Sequence, residues 1–363
     1  MATDRVPIGL GIAVLRGGEH RKAPTAWDDK SLVDFKPISL TGLSSGALGA
    51  LASCHRCPVT GVLSPGDPAV RARSIVAVAL ADETEVSRAM DVMRQTTCRL
   101  RDGFELAVQS AGPEDAPPLL LLAGQANSHH WWDGLRERYH DDFSTITLDQ
   151  RGTGDSHGEV PRQGHAGEWS TESFADDVAD VLDSLDIDQV LVHGTSMGGR
   201  VAQQLAVRHP DRVRAMVLSC SSPGGVNAVP QPEQVRRDLA GAGSFRARAE
   251  VLHGLFYTPA WTGGVTDSTL LGDPTMSPAE SRAHFKVSIG HDAWDLLPTV
   301  TTPTVVLHGT DDQMVPAGNS ELLAERISGA TLRLLPAGRH GFFAEFADEV
   351  TPMVIDFLLG QWP

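Results

Sequence analysis

A serine becomes a nucleophile only when its hydroxyl stands clear of the backbone and a base lies within hydrogen-bond reach. The stretch Val190–Arg200, Val-Leu-Val-His-Gly-Thr-Ser-Met-Gly-Gly-Arg, meets the first condition. Val190–Val192 is an apolar run suited to a buried parallel strand, and Val201, Leu205 and Ala206 recur at helical spacing. Between them, Gly194-Thr195-Ser196-Met197-Gly198 reads G-x-S-x-G. Strand, sharp turn with Ser196 at its tip, then helix is the context in which that pattern presents a nucleophile. Gly194 and Gly198 keep side chains away from the neighbouring strand and helix. The helix N-terminus stabilises negative charge developing beside the serine, and the backbone N–H of Met197, the residue after it, is one oxyanion donor. On residue type alone the base is open among His193, His291, His308 and His340, and the orienting acid is Asp311 or Asp312.

This segment resembles the α/β-hydrolase superfamily, and its Ser-Met-Gly-Gly form resembles the lactonase, esterase, C–C hydrolase and perhydrolase branches. The resemblance runs from about Thr96 to the C-terminus. It implies an order of serine, acid, histidine. The run Gly309-Thr310-Asp311-Asp312-Gln313-Met314-Val315-Pro316 resembles the family's acid loop, G-x-x-D-x-x-V-P, which places the acid at Asp312. Gly338-Arg339-His340-Gly341 resembles its histidine loop, which makes His340 the base. His193 and His308, at strand ends, are then expected to bond backbone. The second oxyanion donor implied is the N–H of Gln125, in Ala123-Gly124-Gln125-Ala126-Asn127. Asp149–Ser156 matches the family's D-x-R-G-x-G-x-S loop, with Asp149 and Arg151 expected to pin the turn. The aromatic-bearing stretch from Ser221 to about Leu297 is implied to be a cap over the nucleophile. Trp131 or Trp132 is expected to wall the pocket, and Trp261 to meet substrate from the cap.

The elements that must position these residues read as follows. Cys98–Leu100 and Phe104–Val108 flank Arg101-Asp102-Gly103, a hairpin signal. Strands are expected at Leu119–Leu122, Thr145–Leu148, Val213–Leu218, Thr304–Leu307 and Thr331–Leu335. Phe174, Val178, Val181, Leu182 and Leu185 form one apolar face of a helix capped by Ser170 or Thr171. Phe346, Val350, Met353, Val354, Phe357 and Leu358 form the face of a closing helix. Alternation of strands and helices predicts an α/β class: a mostly parallel sheet with helices on both faces and antiparallel strands at one edge. The expected division is a small α+β appendage over 1–95 and a catalytic domain over 96–363 with the cap at about 221–297. In the appendage, Ile8–Leu15 and Ser74–Leu80 read as strands and Glu83–Arg94 as a helix.

With 363 residues and 41% hydrophobic side chains, the chain is long enough and apolar enough for a large globular domain plus a smaller addition. Thirty basic against 46 acidic residues give a net charge of -16, which disfavours nucleic acid and anionic membrane as partners. No run is long and apolar enough to span a bilayer. The start, Met1-Ala2-Thr3-Asp4-Arg5, lacks the basic and apolar signal-peptide pattern. Four cysteines, Cys54, Cys57, Cys98 and Cys220, are too few for a disulfide framework, so the expected compartment is the cytoplasm. Cys54-His55-Arg56-Cys57 has no second ligand pair for a metal and reads as two ordinary thiols. Neither a phosphate-cradling loop nor a dinucleotide fingerprint is present, and no metal or cofactor is expected. The resulting expectation is a cofactor-free serine hydrolase. Its substrate would be a small carboxylic ester, lactone or related acyl compound, cleaved through an acyl-enzyme on Ser196. The same residues suit C–C hydrolysis, acyl transfer or perhydrolysis, or a receptor on the same fold. The oligomeric state is not specified.

Overall fold

The structure, a computed structural model, describes residues 11–14, 75–78, 93–161 and 167–363. The chain forms two units, Met1–Val92 and Met93–Pro363. In the first, β1 (Gly11–Val14) and β2 (Ile75–Val78) pair in parallel, within the two stretches read as strands. The Cys54–Cys57 motif lies outside the described residues, as does the expected helix over 83–94 except its end. There Arg94 already belongs to a strand. The sheet of the second unit therefore begins two residues before the expected boundary at 96.

That second unit is built on an eight-stranded sheet ordered β10-β9-β8-β7-β5-β6-β4-β3. Its hairpin, β3 (Arg94–Arg99) and β4 (Glu105–Ala111), is antiparallel, and β4 runs antiparallel to β6 (Ser144–Leu148). The other pairings, through β5 (Pro118–Leu122), β7 (Val190–Thr195), β8 (Val213–Ser219), β9 (Thr304–Gly309) and β10 (Thr331–Leu335), are parallel. Parallel strands need crossover connections, and these are helices. α1 (Thr171–Ser184) and α2 (Met197–Arg208) flank β7, while α6 (Gly318–Arg326), the short α7 (Phe342–Glu345) and α8 (Ala347–Leu359) close the chain. Ser170 caps α1, its hydroxyl accepting the Ser173 N–H at 3.1 Å.

Both faces of the sheet are covered, and the strands show it. In β5, Leu120 and Leu122 join Phe174, Val178, Val201 and Leu205 on one face. Leu119 and Leu121 join Trp132, Phe143, Val350 and Leu358 on the other. Successive side chains of a strand point to opposite faces, so a central strand is apolar throughout. Between β8 and β9 the chain leaves the sheet to form α3 (Glu233–Gly241), α4 (Phe245–Phe256) and α5 (Pro278–Gly290). Among the described residues, no helix is long and apolar enough to cross a membrane.

Candidate active site

β7 ends at Thr195 and α2 begins at Met197, so a single residue makes the turn. That residue, Ser196, has φ 53° and ψ -117°, a strained conformation for a residue with a side chain. The turn is locked: Ser196 N–H donates to the Ser219 carbonyl at 2.8 Å, and the Ser221 hydroxyl donates to the Ser196 carbonyl at 2.9 Å. Gly198 is pressed against the Leu122 and Ala123 carbonyls, where no Cβ fits, which explains its place in the pattern. The Met197 N–H opens α2, where no carbonyl of the helix precedes it.

The His340 ring lies between Ser196 and Asp312. Its Nε2 is 3.0 Å from the Ser196 hydroxyl oxygen, and its Nδ1 is 2.7 Å from Asp312 Oδ2. His340 and Asp312 are buried. Asp312 Oδ1 accepts the N–H groups of Met314 and Val315 at 2.8 and 2.9 Å. Burial pushes this carboxyl up, but the His340 and His308 rings beside it outweigh burial and leave it lowered to about 2. It is therefore a carboxylate at neutral pH and can hold the Nδ1–H form of His340, leaving Nε2 to accept. Asp311 is exposed, and its carboxylate accepts the Thr310 hydroxyl at 3.0 Å.

The other histidines are occupied elsewhere. His308 Nε2 is 2.8 Å from the Val315 carbonyl, the expected backbone bond, and 3.2 Å from Asp312 Oδ2. His193 departs from expectation. It bonds two side chains, the Ser219 hydroxyl at 2.9 Å and the Tyr139 hydroxyl at 3.3 Å, because the strand ladder already takes its backbone neighbours. His291 meets Thr171 and Gln203.

The loop after β5 packs Gly124 under the Trp131 ring, where a Cβ would collide. Gln125 is half-buried, and its carbonyl accepts the Asn127 side-chain amide at 2.9 Å. In the neighbouring Asp149–Ser156 turn, Asp149 pins the backbone as expected and the Arg151 side chain does not. Asp149 accepts from His129 N–H at 2.7 Å and Asp155 N–H at 3.0 Å. Arg151 instead reaches Asp177 on α1 at 2.6 Å and Asp102 of the hairpin at 2.7 Å. The two side chains act separately because the long arginine extends past the turn to the elements that pack against it.

Of the two expected substrate contacts, Trp132 is closed off in the core. Trp132, like Trp131, is 1% exposed, and it packs against His193 and Phe343 inside the core rather than facing a ligand. Trp261 stacks on Tyr257, centroids 3.8 Å apart, and lines a surface cleft of about 190 Å³ with Asp133, Gly134 and Arg138. The aromatic ring that does meet the histidine is Phe256 of α4, edge-on to His340 at 4.8 Å.

α4 also carries contacts that no local pattern announced. Its last carbonyls lack partners within the helix, and the histidine loop supplies them. His340 N–H donates to Leu255 at 3.2 Å and Gly341 N–H to Phe256 at 2.9 Å. The Arg339 guanidinium donates to the Gly254 and Tyr257 carbonyls. Among the described residues, no group of three histidine, cysteine or carboxylate side chains is placed to hold a metal ion.

Residues 117–347 match the family model for the alpha/beta hydrolase fold. A putative carbamate hydrolase RutD of Variovorax paradoxus is 31% identical over 266 residues, covering 68% of this chain and 93% of its own. A poly(3-hydroxyalkanoate) depolymerase of Ectopseudomonas oleovorans is 30% identical over 258 residues, covering 68% of this chain and 86% of its own. The crystal structure of a hydrolase from Pseudomonas aeruginosa superposes with a TM-score of 0.63 at 25% identity, over 73% of this chain and 98% of that one.

Proposed function

Since the chain belongs to the alpha/beta hydrolase family, and is an enzyme of that type, we propose that it cleaves a carboxylic ester, lactone or related acyl bond through Ser196. The observation that carries this reading is the run of 3.0 and 2.7 Å contacts from Ser196 through His340 to Asp312.

The chemistry follows from those atoms. Ser196 Oγ attacks the acyl carbon while its proton passes to His340 Nε2. The carbonyl oxygen becomes an oxyanion, which the N–H groups of Met197 and Gln125 meet. His340 returns the proton to the departing oxygen, and the bond to the leaving group breaks. Water then attacks the acyl-enzyme, giving its proton to His340, and the acid leaves as Ser196 recovers its hydrogen. Asp312 remains ionised throughout and stabilises the imidazolium. The relatives named for carbamates and for a polyester favour acyl–oxygen substrates. Within the domain over 96–363, the helices at about 221–297 serve as the cap over this centre. The activity needs no metal.

A panel of nitrophenyl esters, lactones, thioesters and a vinylogous diketone tests the class. Turnover of esters or lactones, lost in Ser196→Ala, is expected. Cleavage of the diketone alone would move the assignment to C–C hydrolysis.

A further inference from the structure

The loop that carries Gln125 is held from the helical insertion. Ala126 sits at φ +58°, a left-handed conformation that a residue with a side chain keeps only when its surroundings compel it. Three hydrogen bonds supply that constraint. Asp273 N–H donates to the Ala126 carbonyl at 2.8 Å, and Gly272 N–H donates to Asn127 Oδ1 at 3.1 Å. Ala126 N–H donates to His284 Nδ1 at 3.2 Å, and His284 is a residue of α5.

His284 has no freedom over which nitrogen accepts. Its Nε2 lies 2.7 Å from the Arg151 carbonyl oxygen. A carbonyl only accepts, so Nε2 carries the hydrogen, and in a neutral ring the lone pair is then on Nδ1. The lone pair is what the Ala126 N–H requires. The ring is fully buried, against Phe174 with centroids 5.5 Å apart and edge-on to Trp169 at 6.1 Å. Burial pushes its pKa down to about 4, although the Arg151 carbonyl and the Glu280 and Asp273 carboxylates favour the charged form. One tautomer thus satisfies both bonds, and together these contacts fix the peptide on the C-terminal side of Gln125.

We propose that His284 is a positioning residue for the reaction: accepting from Ala126 at Nδ1 and donating to Arg151 from Nε2, it holds the 124–127 loop so that the Gln125 N–H faces the developing oxyanion. This rests on the acyl-transfer reading above. A misplacement of about 1 Å near a reacting centre lowers rates by about a hundredfold. An interaction made only in the transition state lowers kcat and leaves KM unmoved when it is lost.

Three substitutions separate the two bonds. His284→Phe keeps a ring between Phe174 and Trp169 but removes both polar contacts. His284→Asn offers an amide oxygen near the Nδ1 position, for Ala126. His284→Gln offers an amide near the Nε2 position, for Arg151. With nitrophenyl acetate, kcat is expected to fall about ten- to a hundredfold in His284→Phe and His284→Gln. KM should stay within about twofold. His284→Asn should keep kcat within about threefold of the wild type. Equal losses in Asn and Gln, an unchanged kcat in Phe, or a loss confined to KM would overturn the proposal. Should His284→Phe not fold, the Asn–Gln comparison decides alone. The control is ester turnover by the wild type that Ser196→Ala abolishes. If it fails, the acyl-transfer reading falls and this proposal with it. If it holds and the series does not order as stated, only the role of His284 is wrong.

Discussion

Two carboxylates follow β9, and the backbone lets one of them reach the histidine. Asp312 meets His340 at 2.7 Å and takes two further N–H groups on its other oxygen, while Asp311 faces solvent. Replacing a triad acid by Asn turns the histidine to the wrong tautomer and slows serine proteases by about ten-thousandfold. Asp312→Asn is expected to lower ester turnover by at least about a hundredfold, and Asp311→Asn by less than about threefold, assayed side by side with the same ester. A greater loss in Asp311→Asn would assign the acid to the wrong neighbour. This choice is legible in the sequence through its resemblance to the family's acid loop, whose pattern Gly309 and Val315-Pro316 carry at short range. The bond from Ala126 to His284 is not, because 158 residues separate the partners and only the docking of α5 brings them together.

At the scale of elements, the site is a set of element ends held by other element ends. Continuous apolar runs expose the central strands and a period of 3.6 exposes α1, since those patterns record burial directly. They do not record which element docks on which. Hence Trp132 enters the core, Trp261 turns to a surface cleft, and Arg151 leaves the turn for Asp177 and Asp102. The α4 terminus and the histidine loop are joined in the same way, by Arg339 and two backbone N–H groups. Arg339→Met keeps most of the side-chain length and removes the charge-assisted bonds. It is expected to lower kcat several-fold and melting stability by about 1–3 kcal/mol, read by steady-state kinetics and thermal unfolding. Unchanged kcat and melting together would show that the two backbone bonds alone seat the loop. Gly198→Ala should be harsher, since its Cβ would meet the Leu122 carbonyl. Loss of soluble protein or of activity is the expected reading.

The whole molecule has a pH dependence set by histidines it keeps neutral. Burial pushes His193 down to about 3, His284 to about 4, and His291 well below its usual range. As pH falls from about 6.5 toward 4, the unfolded chain takes up these protons and the native state does not, so stability falls. Burial pushes Asp177 up to about 6, and that group runs the other way. Among these groups the three histidines outweigh the one carboxyl, so the stability they contribute is present above about pH 6.5 and is lost on acidification below it. Thermal scans should show Tm falling reversibly as pH drops from about 6.5 to 5, and a flat profile there would contradict the buried neutral rings. Residues 93–363 retain all eight strands of the larger sheet and are expected to fold and to hydrolyse esters when expressed alone. Exhaustive dialysis against a chelator should leave that hydrolysis intact, and its restoration only by a divalent ion would overturn the metal-free reading.

The central claim is that Ser196 is a nucleophile with a base at 3.0 Å. A fluorophosphonate reports on this directly, because it reacts with an activated serine and stays bound. The full-length protein should gain one adduct mass, mapped by peptide mass spectrometry to the peptide that contains Ser196. Ser196→Ala should gain none, and His340→Ala should label at least about a hundredfold more slowly. An adduct on another residue, or wild-type labelling rates in His340→Ala, would contradict the account.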